Sequence, residues 1–380
     1  MPKIMIVYTD SGAGHRRAAE ALARSVPEVF PGSEAALFDV LDYATPLFKK
    51  SYPGTYLFLV KHCPWLWGLS YYLMDTWPVD RVGRLFRRAT NAKHCREFER
   101  HLLAERPDLV ITTHFLPNEI ITHLKRKHGF RTFLATCVTD YHAHRILRDD
   151  GVDLYFAPNA DLIPELGRIG IPARRIRPLG LPVMPVFERL EGQATSRAKL
   201  GLADQFTVVV ASGGFGVGPI TELIAELERI GRPIQVVAIC GKNLALREDL
   251  LRLTRDSKHR YQIHGFVDNM HEFMAAGDVM ISKSGGLTTT EAMAAGLPLL
   301  IFCPIPGQEA SNRDFVVSHG AGLPVRDARD ARRALEGLLA DPGRLRRLRE
   351  RMKALGRPQA AREILTELKG IISNAVAADK

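Results

Sequence analysis

Residues 264–312, HGFVDNMHEFMAAGDVMISKSGGLTTTEAMAAGLPLLIFCPIPGQEASN, decide the fold class. Their pattern predicts a short strand, a loop and a helix, then a strand that ends at Ser282, a glycine turn, a helix from about Leu287 and a strand at 298–302. Strands that alternate with helices in this way are typical of a parallel sheet, which binds ligands at the carboxyl ends of its strands.

The helix that follows the glycine turn begins in a way that suits a phosphate group. Gly285 and Gly286 open it, and the hydroxyl residues 288–290 follow. The first N–H groups of a helix have no acceptor within it, and their positive dipole end favours an anion. Glu291 would lie about one turn further on, where its carboxylate could accept hydrogen bonds from ribose hydroxyls. The pattern therefore predicts a site for a nucleoside diphosphate.

The remaining sequence predicts a second unit of the same kind. A chain of 380 residues exceeds what one hydrophobic core usually covers. Strands are predicted at 3–8, 34–39, 109–112, 131–138 and 154–157, and again at 206–211, 234–240, 261–264, 279–282 and 299–302. Prolines and glycines interrupt any periodic pattern over residues 177–193, where we place the linker. Two doubly wound α/β domains in tandem are therefore expected.

Composition restricts the partners without choosing among them. The formal net charge of +10 and the pI near 9.5 are compatible with nucleic acid, an anionic membrane surface or an anionic substrate. The five cysteines are scattered and include no C-x-x-C pair, so neither a disulfide framework nor a zinc site is expected. We see no secretory leader and no clean apolar stretch of about 20 residues, and we therefore expect a soluble or peripheral protein.

Two further glycine-rich loops follow predicted strands. Residues 10–15, DSGAGH, lack the G-x-G-x-x-G spacing of a nicotinamide site. Their simplest interpretation is a tight turn that needs positive φ, but they also place His15 at a helix start, where glycines let a substrate approach closely. Residues 212–218, SGGFGVG, contain four glycines without a following G-K-[ST]. This disfavours a Walker-type ATPase and leaves backbone contact with a diphosphate as the functional interpretation.

A polar cluster ends another predicted strand, in the sequence TCVTDYHAH at residues 136–144. Asp140, His142 and His144 could contribute to a metal site, but no second ligand cluster accompanies them, so zinc is the less favoured interpretation. A carboxylate at a strand end is alternatively a candidate base. We rank Asp140 below His15 in that role and keep both interpretations open.

Residues 45–90 have the most unusual composition of the chain. They contain all three tryptophans among ten aromatic residues, and seven lysines and arginines against two aspartates. The segment is either a helical core region with a basic exterior or an interfacial surface, where aromatic rings settle at headgroup depth and cations meet anionic lipid. Aromatic and basic residues together could also bind single-stranded nucleic acid, but no nucleic-acid-binding motif accompanies them.

Together these motifs resemble GT-B glycosyltransferases of family 28, in the group of the monogalactosyldiacylglycerol synthases and the processive diacylglycerol β-glucosyltransferases. The peptidoglycan N-acetylglucosaminyltransferase is more distantly similar. The resemblance lies in DSGAGH at 10–15, VTDY at 138–141, GFVDNM at 265–270, KSGGLTTTEA at 283–292 and PGQEASN at 306–312. It implies two Rossmann-like domains that face an interdomain cleft. The N-terminal lipid-acceptor domain would span 1–185 with a membrane-docking region at 45–90, and the UDP-sugar domain 186–355, followed by a helix at 356–380 that packs back on the first domain.

The resemblance also implies residue roles. His15 and Asp140 would lie near the acceptor hydroxyl as candidate catalytic bases. Phe266 and Val267 would lie near the uracil and Glu291 on the ribose. The residues expected to contact the UDP-sugar are Gly14, Gly214, Gly216, Gly218, Phe266, Val267, Ser284, Gly285, Gly286, Leu287, Thr288, Glu291, Gln308 and Glu309, of which Gln308 and Glu309 would bind sugar hydroxyls.

The implied activity is inverting transfer of a hexose from a UDP-sugar to diacylglycerol, with glucose favoured over galactose. The enzyme would act peripherally on the cytoplasmic face of a membrane, without a metal ion, another cofactor or nucleic acid. Because the acceptor would be a lipid, the interfacial interpretation of residues 45–90 becomes the preferred one for their exposed part. The alternatives are a UDP-sugar 2-epimerase on the same scaffold, a transferase for another lipid acceptor, and a non-catalytic module that binds a sugar nucleotide or lipid.

Overall fold

The computed structural model of the protein describes residues 2–33, 35–211, 213 and 218–378. The chain forms two compact units, one from Met1–Pro185 together with Pro358–Lys380 and the other from Val186–Arg357. The first boundary falls within residues 177–193, where prolines and glycines interrupt the sequence pattern. No helix in the described part of the chain is both long enough and apolar enough to cross a membrane.

The first unit is built on a parallel sheet. Its described strands are β1 (Ile4–Tyr8), β2 (Ala35–Asp39), β3 (Leu109–Thr112), β4 (Phe133–Cys137), β5 (Leu154–Phe156) and β6 (Ile176–Arg177). They lie in the order β2-β1-β3-β4-β5-β6. The chain runs outward from β1 to β2 and returns to β3 on the other side of β1, so the winding reverses between β1 and β3. Sheets of this kind bind ligands beyond the carboxyl ends of the strands at such a reversal.

Helices cover both faces of this sheet, which explains why β1 is apolar at successive positions. Ile4 and Ile6 pack in one buried cluster with Leu22, whereas Met5 and Val7 pack in another on the opposite face. The helices of this part of the chain are α1 (Ala13–Val29), α2 (Pro46–His62), α3 (Pro64–Met74), α4 (Trp77–His94), α5 (Arg96–Glu105), α6 (Phe115–His128) and α7 (Leu162–Arg168). Helix α1 thus runs four residues beyond the predicted end at about Ser25.

The second unit repeats this architecture. Its described strands are β7 (Thr207–Ala211), β8 (Gln235–Ile239), β9 (Arg260–His264), β10 (Val279–Ser282), β11 (Leu299–Phe302) and β12 (Gly322–Val325). They are parallel and lie in the order β12-β11-β10-β7-β8-β9. The winding reverses between β7 and β10, which makes the carboxyl ends of these two strands the expected ligand site.

The helices of the second unit bury the faces of its sheet. They are α8 (Gln193–Lys199), α9 (Ile220–Leu227), α10 (Leu244–Leu253), α11 (Met270–Ala276), α12 (Gly286–Ala295), α13 (Gln308–Ser318), α14 (Ala328–Ala340) and α15 (Pro342–Leu355). Helix α12 begins one residue before the predicted Leu287. The strand predictions missed β6 and β12, because β6 has only two residues and β12, with the sequence GLPV, contains a glycine and a proline.

The final helix, α16 (Ala360–Ala378), belongs to the first unit and packs against α1. Ile364, Leu365 and Leu368 are fully buried in the cluster that also contains Leu22 of α1. Lys369 adds a polar contact, since its Nζ donates to the carbonyl oxygen of Val29 at 2.7 Å. The end of the chain thereby contributes part of the core beneath the first sheet.

Candidate functional site

The first candidate site lies where the winding of the first sheet reverses. The loop after β1 leads into α1, and the loop after β3 carries Thr113 and His114. His15 lies in the first turn of α1, directly after Gly14. Gly12, the residue before α1, has φ 178°, which is extended backbone open to any residue. The prediction of a positive-φ turn at DSGAGH is therefore wrong for Gly12, although the loop does place His15 at a strand-end site.

A hydrogen bond to the neighbouring strand end fixes the imidazole of His15. Its Nδ1 lies 2.6 Å from the carbonyl oxygen of Thr113, and because a carbonyl only accepts, Nδ1 carries the proton. The other ring nitrogen, Nε2, is left with a lone pair in the neutral form. Thr113 Oγ1 donates in turn to the carbonyl oxygen of His15 at 2.9 Å, so the two loops are tied together. The ring is oriented as a general base requires.

Burial keeps this imidazole neutral. Removal from water lowers the pKa of His15 below its ordinary value of 6.5, while Asp140 and the bond to Thr113 act in the opposite direction. His114 packs edge-on against His15, with ring centroids 4.7 Å apart, and burial lowers its pKa well below the ordinary value. Nδ1 of His114 accepts the backbone N–H of Leu116 at 3.1 Å, which places the proton of the neutral ring on Nε2. The site therefore holds two neutral rings in opposite tautomers.

Asp140 lies in the loop after β4 beside His15. The neighbouring Thr139 Oγ1 is 3.4 Å from His15 Nδ1, and Asp140 is near enough to raise the pKa of His15. His142 and His144 have other partners. Nδ1 of His142 is 3.0 Å from Glu165, and Nε2 of His144 is 3.0 Å from the carbonyl oxygen of Tyr71.

These partners do not bring the histidines of the 136–144 cluster together around a common point. Within residues 2–33, 35–211, 213 and 218–378, no group of three or more His, Cys, Asp and Glu side chains is arranged to hold a metal ion.

The second candidate site lies at the reversal between β7 and β10. A small pocket beyond these strands is lined by Ala211, Gly218, Ile220, Ile281, Ser282, Lys283, Phe302 and Cys303. Gly218 has φ 137°, a backbone conformation that favours glycine, and this explains why a glycine occupies the position. Lys283 brings a cation to the same pocket. Gly214 and Gly216, also expected to contact the UDP-sugar, lie outside the described residues.

Two helix N-termini meet beside this pocket. Gly285 precedes α12, whose first turn contains Gly286, Leu287 and Thr288, and Gln308 is the first residue of α13. The hydrogen-bond ladder of α12 begins with the N–H of Thr289, which donates to the carbonyl oxygen of Gly285 at 2.9 Å. The N–H groups before it have no acceptor within the helix, as an anion site requires.

Ser284 joins the two helices. It is fully buried, and its Oγ donates to the carbonyl oxygen of Glu309 at 2.6 Å. Asn312 Nδ2 donates back to the carbonyl oxygen of Ser284 at 2.9 Å. The buried hydroxyl therefore has a structural partner, and its contribution to a ligand site is to hold the first turns of α12 and α13 at fixed positions.

The acidic residues expected at this site differ in exposure. Glu291, in the second turn of α12, is only 6% exposed, so a ribose would have to reach a largely covered carboxylate. Glu309 is partly exposed, and one of its oxygens accepts the N–H of Ile305 at 2.7 Å, which closes the loop before α13. Gly307, within this loop, has φ 96° and lets the chain turn sharply into Gln308.

Phe266 and Val267 follow β9 at the same edge of the sheet. Phe266 is 64% exposed, which is unusual for a large aromatic side chain, whereas Val267 is half-buried. An exposed ring at a strand end can stack on a flat heterocycle. The structure thus leaves this ring accessible in the place where the sequence resemblance expects the uracil.

A third feature is an exposed apolar surface on α2, α3 and α4, which we call the apolar face. Its large side chains, each more than a third exposed, are Leu47, Phe58, Trp65, Leu66, Leu69, Tyr72, Leu73, Trp77, Val79, Val82, Leu85 and Phe86. So many exposed apolar side chains on consecutive helices mark an interaction surface. The interpretation of residues 45–90 as a core segment is therefore wrong for most of their large apolar side chains.

Helix α4 shows why these side chains face outward. It packs against α6 with a polar side: Arg87 Nε donates to Glu119 at 2.8 Å, and Asn91 Nδ2 donates to the other oxygen of Glu119 at 2.9 Å. Asp80 is 7% exposed and pairs with Arg84 at 2.6 Å. The polar side is thus buried and satisfied, and the apolar side is turned outward, the reverse of an ordinary surface helix.

The sequence-based argument missed His114 and Thr113 as neighbours of His15. They are 99 and 98 residues away along the chain, respectively, and the pairing of β1 with β3 brings them together with His15. A signal was present: the sequence THF follows β3 directly, and the carboxyl ends of adjacent parallel strands meet at one edge. The order of the strands was needed before that signal could be used.

Models of known protein families match both halves of the chain. A family model described as "Monogalactosyldiacylglycerol (MGDG) synthase" matches residues 15–183, and one described as "Glycosyltransferase family 28 C-terminal domain" matches residues 207–364. The chain is 30% identical over 377 residues to the processive diacylglycerol beta-glucosyltransferase of Bacillus cereus strain AH187. That alignment covers 96% of this chain and 92% of the relative.

Solved structures show the same fold. MurG of Acinetobacter baumannii matches with a TM-score of 0.61 and 14% identity, over 97% of this chain and 100% of that one. The UDP-GlcNAc 2-epimerase of Neisseria meningitidis, bound to UDP-GlcNAc, matches with a TM-score of 0.60 at the same identity and coverage. At this identity the likeness concerns the fold alone, and it does not separate a transferase from an epimerase.

Proposed function

The chain belongs to glycosyltransferase family 28, in the group of the diacylglycerol hexosyltransferases, and we propose that it transfers glucose from UDP-glucose to diacylglycerol with inversion at the anomeric carbon. Glucose is preferred over galactose because the Bacillus cereus glucosyltransferase is matched over 92% of its own length, whereas the probable monogalactosyldiacylglycerol synthase of Glycine max, 31% identical to this chain, is matched over 71% of its length. The synthase model that would favour galactose matches the first unit, whereas the donor-binding elements lie in the second.

On the donor side, the helix N-termini are proposed to bind the diphosphate. Lys283 and Gly218 line the pocket at the winding reversal of the second sheet, and α12 begins three residues after Lys283. The first turn of α13 is tied to the residue before the glycine turn through the bond from Ser284 to Glu309, so its N–H groups would act with those of α12. Phe266 would cover the uracil, and Glu291 would accept hydrogen bonds from the ribose. Gln308 and Glu309, at the start of α13, would bind the hexose hydroxyls.

On the acceptor side, the proposal rests above all on the geometry of His15. Its Nδ1–H donates to Thr113, burial keeps the ring neutral, and Nε2 is therefore ready to take the proton of an acceptor hydroxyl. Asp140, which lies beside it, would stabilise the imidazolium that forms. This arrangement is what nucleophilic attack by an alcohol requires.

We propose a single displacement without a metal ion. The acceptor oxygen forms its bond to the anomeric carbon as the bond from that carbon to the UDP oxygen breaks, and His15 receives the hydroxyl proton. Negative charge on the departing diphosphate is stabilised by the first-turn N–H groups of α12 and α13 and by Lys283. Because the bond forms opposite the leaving group, an α-linked UDP-sugar yields a β-linked product.

The apolar face is proposed to dock the enzyme on the membrane that holds its acceptor. Its aromatic and aliphatic side chains suit the boundary between headgroups and acyl chains, and the exposed Arg81 of α4 suits an anionic surface. This supports peripheral association with a membrane, which we propose to be its cytoplasmic face. A UDP-sugar 2-epimerase would have no use for such a face, and another lipid acceptor is the alternative that remains compatible with it.

Transfer of label into lipid tests the proposed function. Purified protein is incubated with anionic vesicles that contain diacylglycerol and with radiolabelled UDP-glucose or UDP-galactose, and chloroform-soluble label is counted. We expect label from UDP-glucose, sensitivity of the product to β-glucosidase, and an unchanged rate in EDTA. Label from UDP-galactose alone would replace the donor assignment, and an α-linked product would overturn inversion.

A parallel incubation without lipid examines the competing reaction. Conversion of the UDP-sugar into its C2 epimer in that sample would support the epimerase. Ceramide and sterol replace diacylglycerol in two further samples, so that failure with diacylglycerol identifies another acceptor where one exists. H15Q protein serves as the control in each sample.

A further inference from the structure

The first unit contains a groove of about 420 Å³ that the proposed function does not use. It lies between α4, the last turn of α6 and the 3-10 turn Arg145–Leu147. Its lining residues are Trp77, Asp80, Arg81, Arg84, Leu85, Arg88, Arg126, Arg145, Arg148, Asp150 and Ile169. We call it the arginine groove. Its volume falls within the range of roughly 300–1,000 Å³ that is typical of small-molecule sites.

The charge of the arginine groove is strongly unbalanced. Six arginines line it against two aspartates, an excess of four positive charges. Arg84 pairs with Asp80 at 2.6 Å, and Asp150 lies 3.3 Å from Arg126 and 3.6 Å from Arg148. The two carboxylates therefore hold three of the guanidinium groups in position.

The other three guanidinium groups, those of Arg81, Arg88 and Arg145, form no ion pair among the described residues. Arg81 and Arg88 lie seven positions apart on α4, which places them on one side of the helix, and Arg145 reaches the groove from a different element. Cations gathered around one cavity repel one another. An anion that enters the groove relieves this repulsion and receives hydrogen bonds from several directions.

Backbone packing also fixes one wall of the groove. Gly170 follows the lining residue Ile169 and has φ 96°. A Cβ at this position would lie 3.0 Å from Arg148 Nη1, so the glycine lets the chain pass close to that guanidinium. The guanidinium is thus held between Gly170 and Asp150, as expected of a donor group arranged before its ligand binds.

We propose that the arginine groove binds the phosphate of an anionic phospholipid headgroup, at a position distinct from the acceptor site at His15. The planar guanidinium matches two phosphate oxygens at once, which explains the use of arginine rather than lysine. The apolar rim identifies the source of the phosphate as a lipid: Trp77 and Leu85 line the groove and also belong to the apolar face, 57% and 65% exposed. A headgroup in the groove would leave its acyl chains beside that face.

This inference rests on the proposed membrane docking, and flotation of protein with vesicles tests it separately from transfer. The variant R81Q/R88Q/R145Q removes the three guanidinium groups that have no ion pair. The matched control, R100Q/R131Q/R174Q, removes the same charge from exposed positions of the same unit outside the groove. On phosphatidylglycerol vesicles we expect the groove variant to lose more than about tenfold in affinity and the control less than about twofold.

Further measurements complete the test and define the outcomes that would overturn it. Unfolding midpoints of both variants are measured first, and R145Q alone, which leaves α4 intact, repeats the comparison if the triple variant is unstable. Equal losses in groove and control variants would show general attraction of the basic protein to the vesicles and overturn the proposal. Tight binding of glycerol 3-phosphate or inorganic phosphate to the groove without vesicles would overturn the lipid assignment. Absence of sugar transfer together with groove-dependent vesicle binding would reject the proposed reaction alone.

Discussion

Replacement of two apolar residues on the outward side of α4 separates membrane docking from folding. Val82 and Phe86 lie four positions apart on one side of the helix and are 68% and 72% exposed. Neither lines the arginine groove. The variant V82S/F86S removes this apolar surface while it leaves the polar contacts of α4 with Glu119 in place.

The magnitude follows from the exposed fractions. Complete burial of a Val or Phe side chain contributes about 1.5–3 kcal/mol, and the roughly two thirds that are exposed here would contribute about 1–2 kcal/mol each on entering a bilayer. The pair therefore accounts for about 2–4 kcal/mol, which corresponds to a loss of roughly thirty-fold to several hundred-fold in vesicle affinity. The free energy of unfolding should change by less than about 0.5 kcal/mol, because these surfaces are already in water in the folded protein.

Flotation on vesicles that contain diacylglycerol measures the first quantity, and denaturant unfolding measures the second. The matched control is L244S/L251S, which removes two leucines of α10 that are 67% and 43% exposed on the second unit. Vesicle binding of V82S/F86S at the wild-type level would refute docking through this side of α4. A loss of several kcal/mol in unfolding free energy would show instead that the side chains belong to a core.

Three further predictions concern His15, Glu291 and a buried ion pair in the second unit. H15Q should lower kcat about 10²–10⁴-fold at unchanged UDP affinity. Burial lowers the pKa of His15, and activity needs the neutral ring. The wild-type rate should therefore stay level as the pH falls through 6.5 and decline only below it. E291Q should weaken UDP binding about tenfold by calorimetry with an unchanged unfolding midpoint, and unaltered affinity would remove Glu291 from the site. D278N deprives the buried Arg197 of a carboxylate at 2.7 Å and should cost about 3 kcal/mol in unfolding free energy, whereas D204N removes a fully exposed partner of the same arginine and should leave the unfolding free energy nearly unchanged.

The sequence pattern predicted those strands whose apolar residues form an uninterrupted run in the chain. Leu109–Thr112 and Val279–Ser282 agree with prediction at both ends, since every residue of each is buried between covered faces. Gly322–Val325 was missed because pairing with β11, rather than its own composition, makes it a strand. Its glycine and proline oppose a strand prediction, and tertiary contacts outweigh that preference.

The donor elements were easier to anticipate than the acceptor elements for a physical reason. The first turns of α12 and α13 lie within one continuous stretch of sequence, so strand, turn and helix can be recognised together. The surroundings of His15 come from loops after three different strands, and Thr113 enters through the pairing of β1 with β3. The order of strands in a sheet is a long-range property that a single sequence pattern does not contain.

The outward direction of α4 could not be read from its sequence either, because a periodic pattern defines two sides of a helix without saying which one is buried. The structure shows what decides it. Glu119 on α6 accepts hydrogen bonds from Arg87 and Asn91, so the polar side has specific partners inside the protein.

Burial of that polar side without such partners would cost free energy. With them, the polar side binds α6 specifically. The apolar side of α4 then has no counterpart within the described part of its unit, and Val82, Leu85 and Phe86 remain exposed. A helix attached through polar contacts can therefore offer its apolar side to a bilayer without giving up its place in the fold.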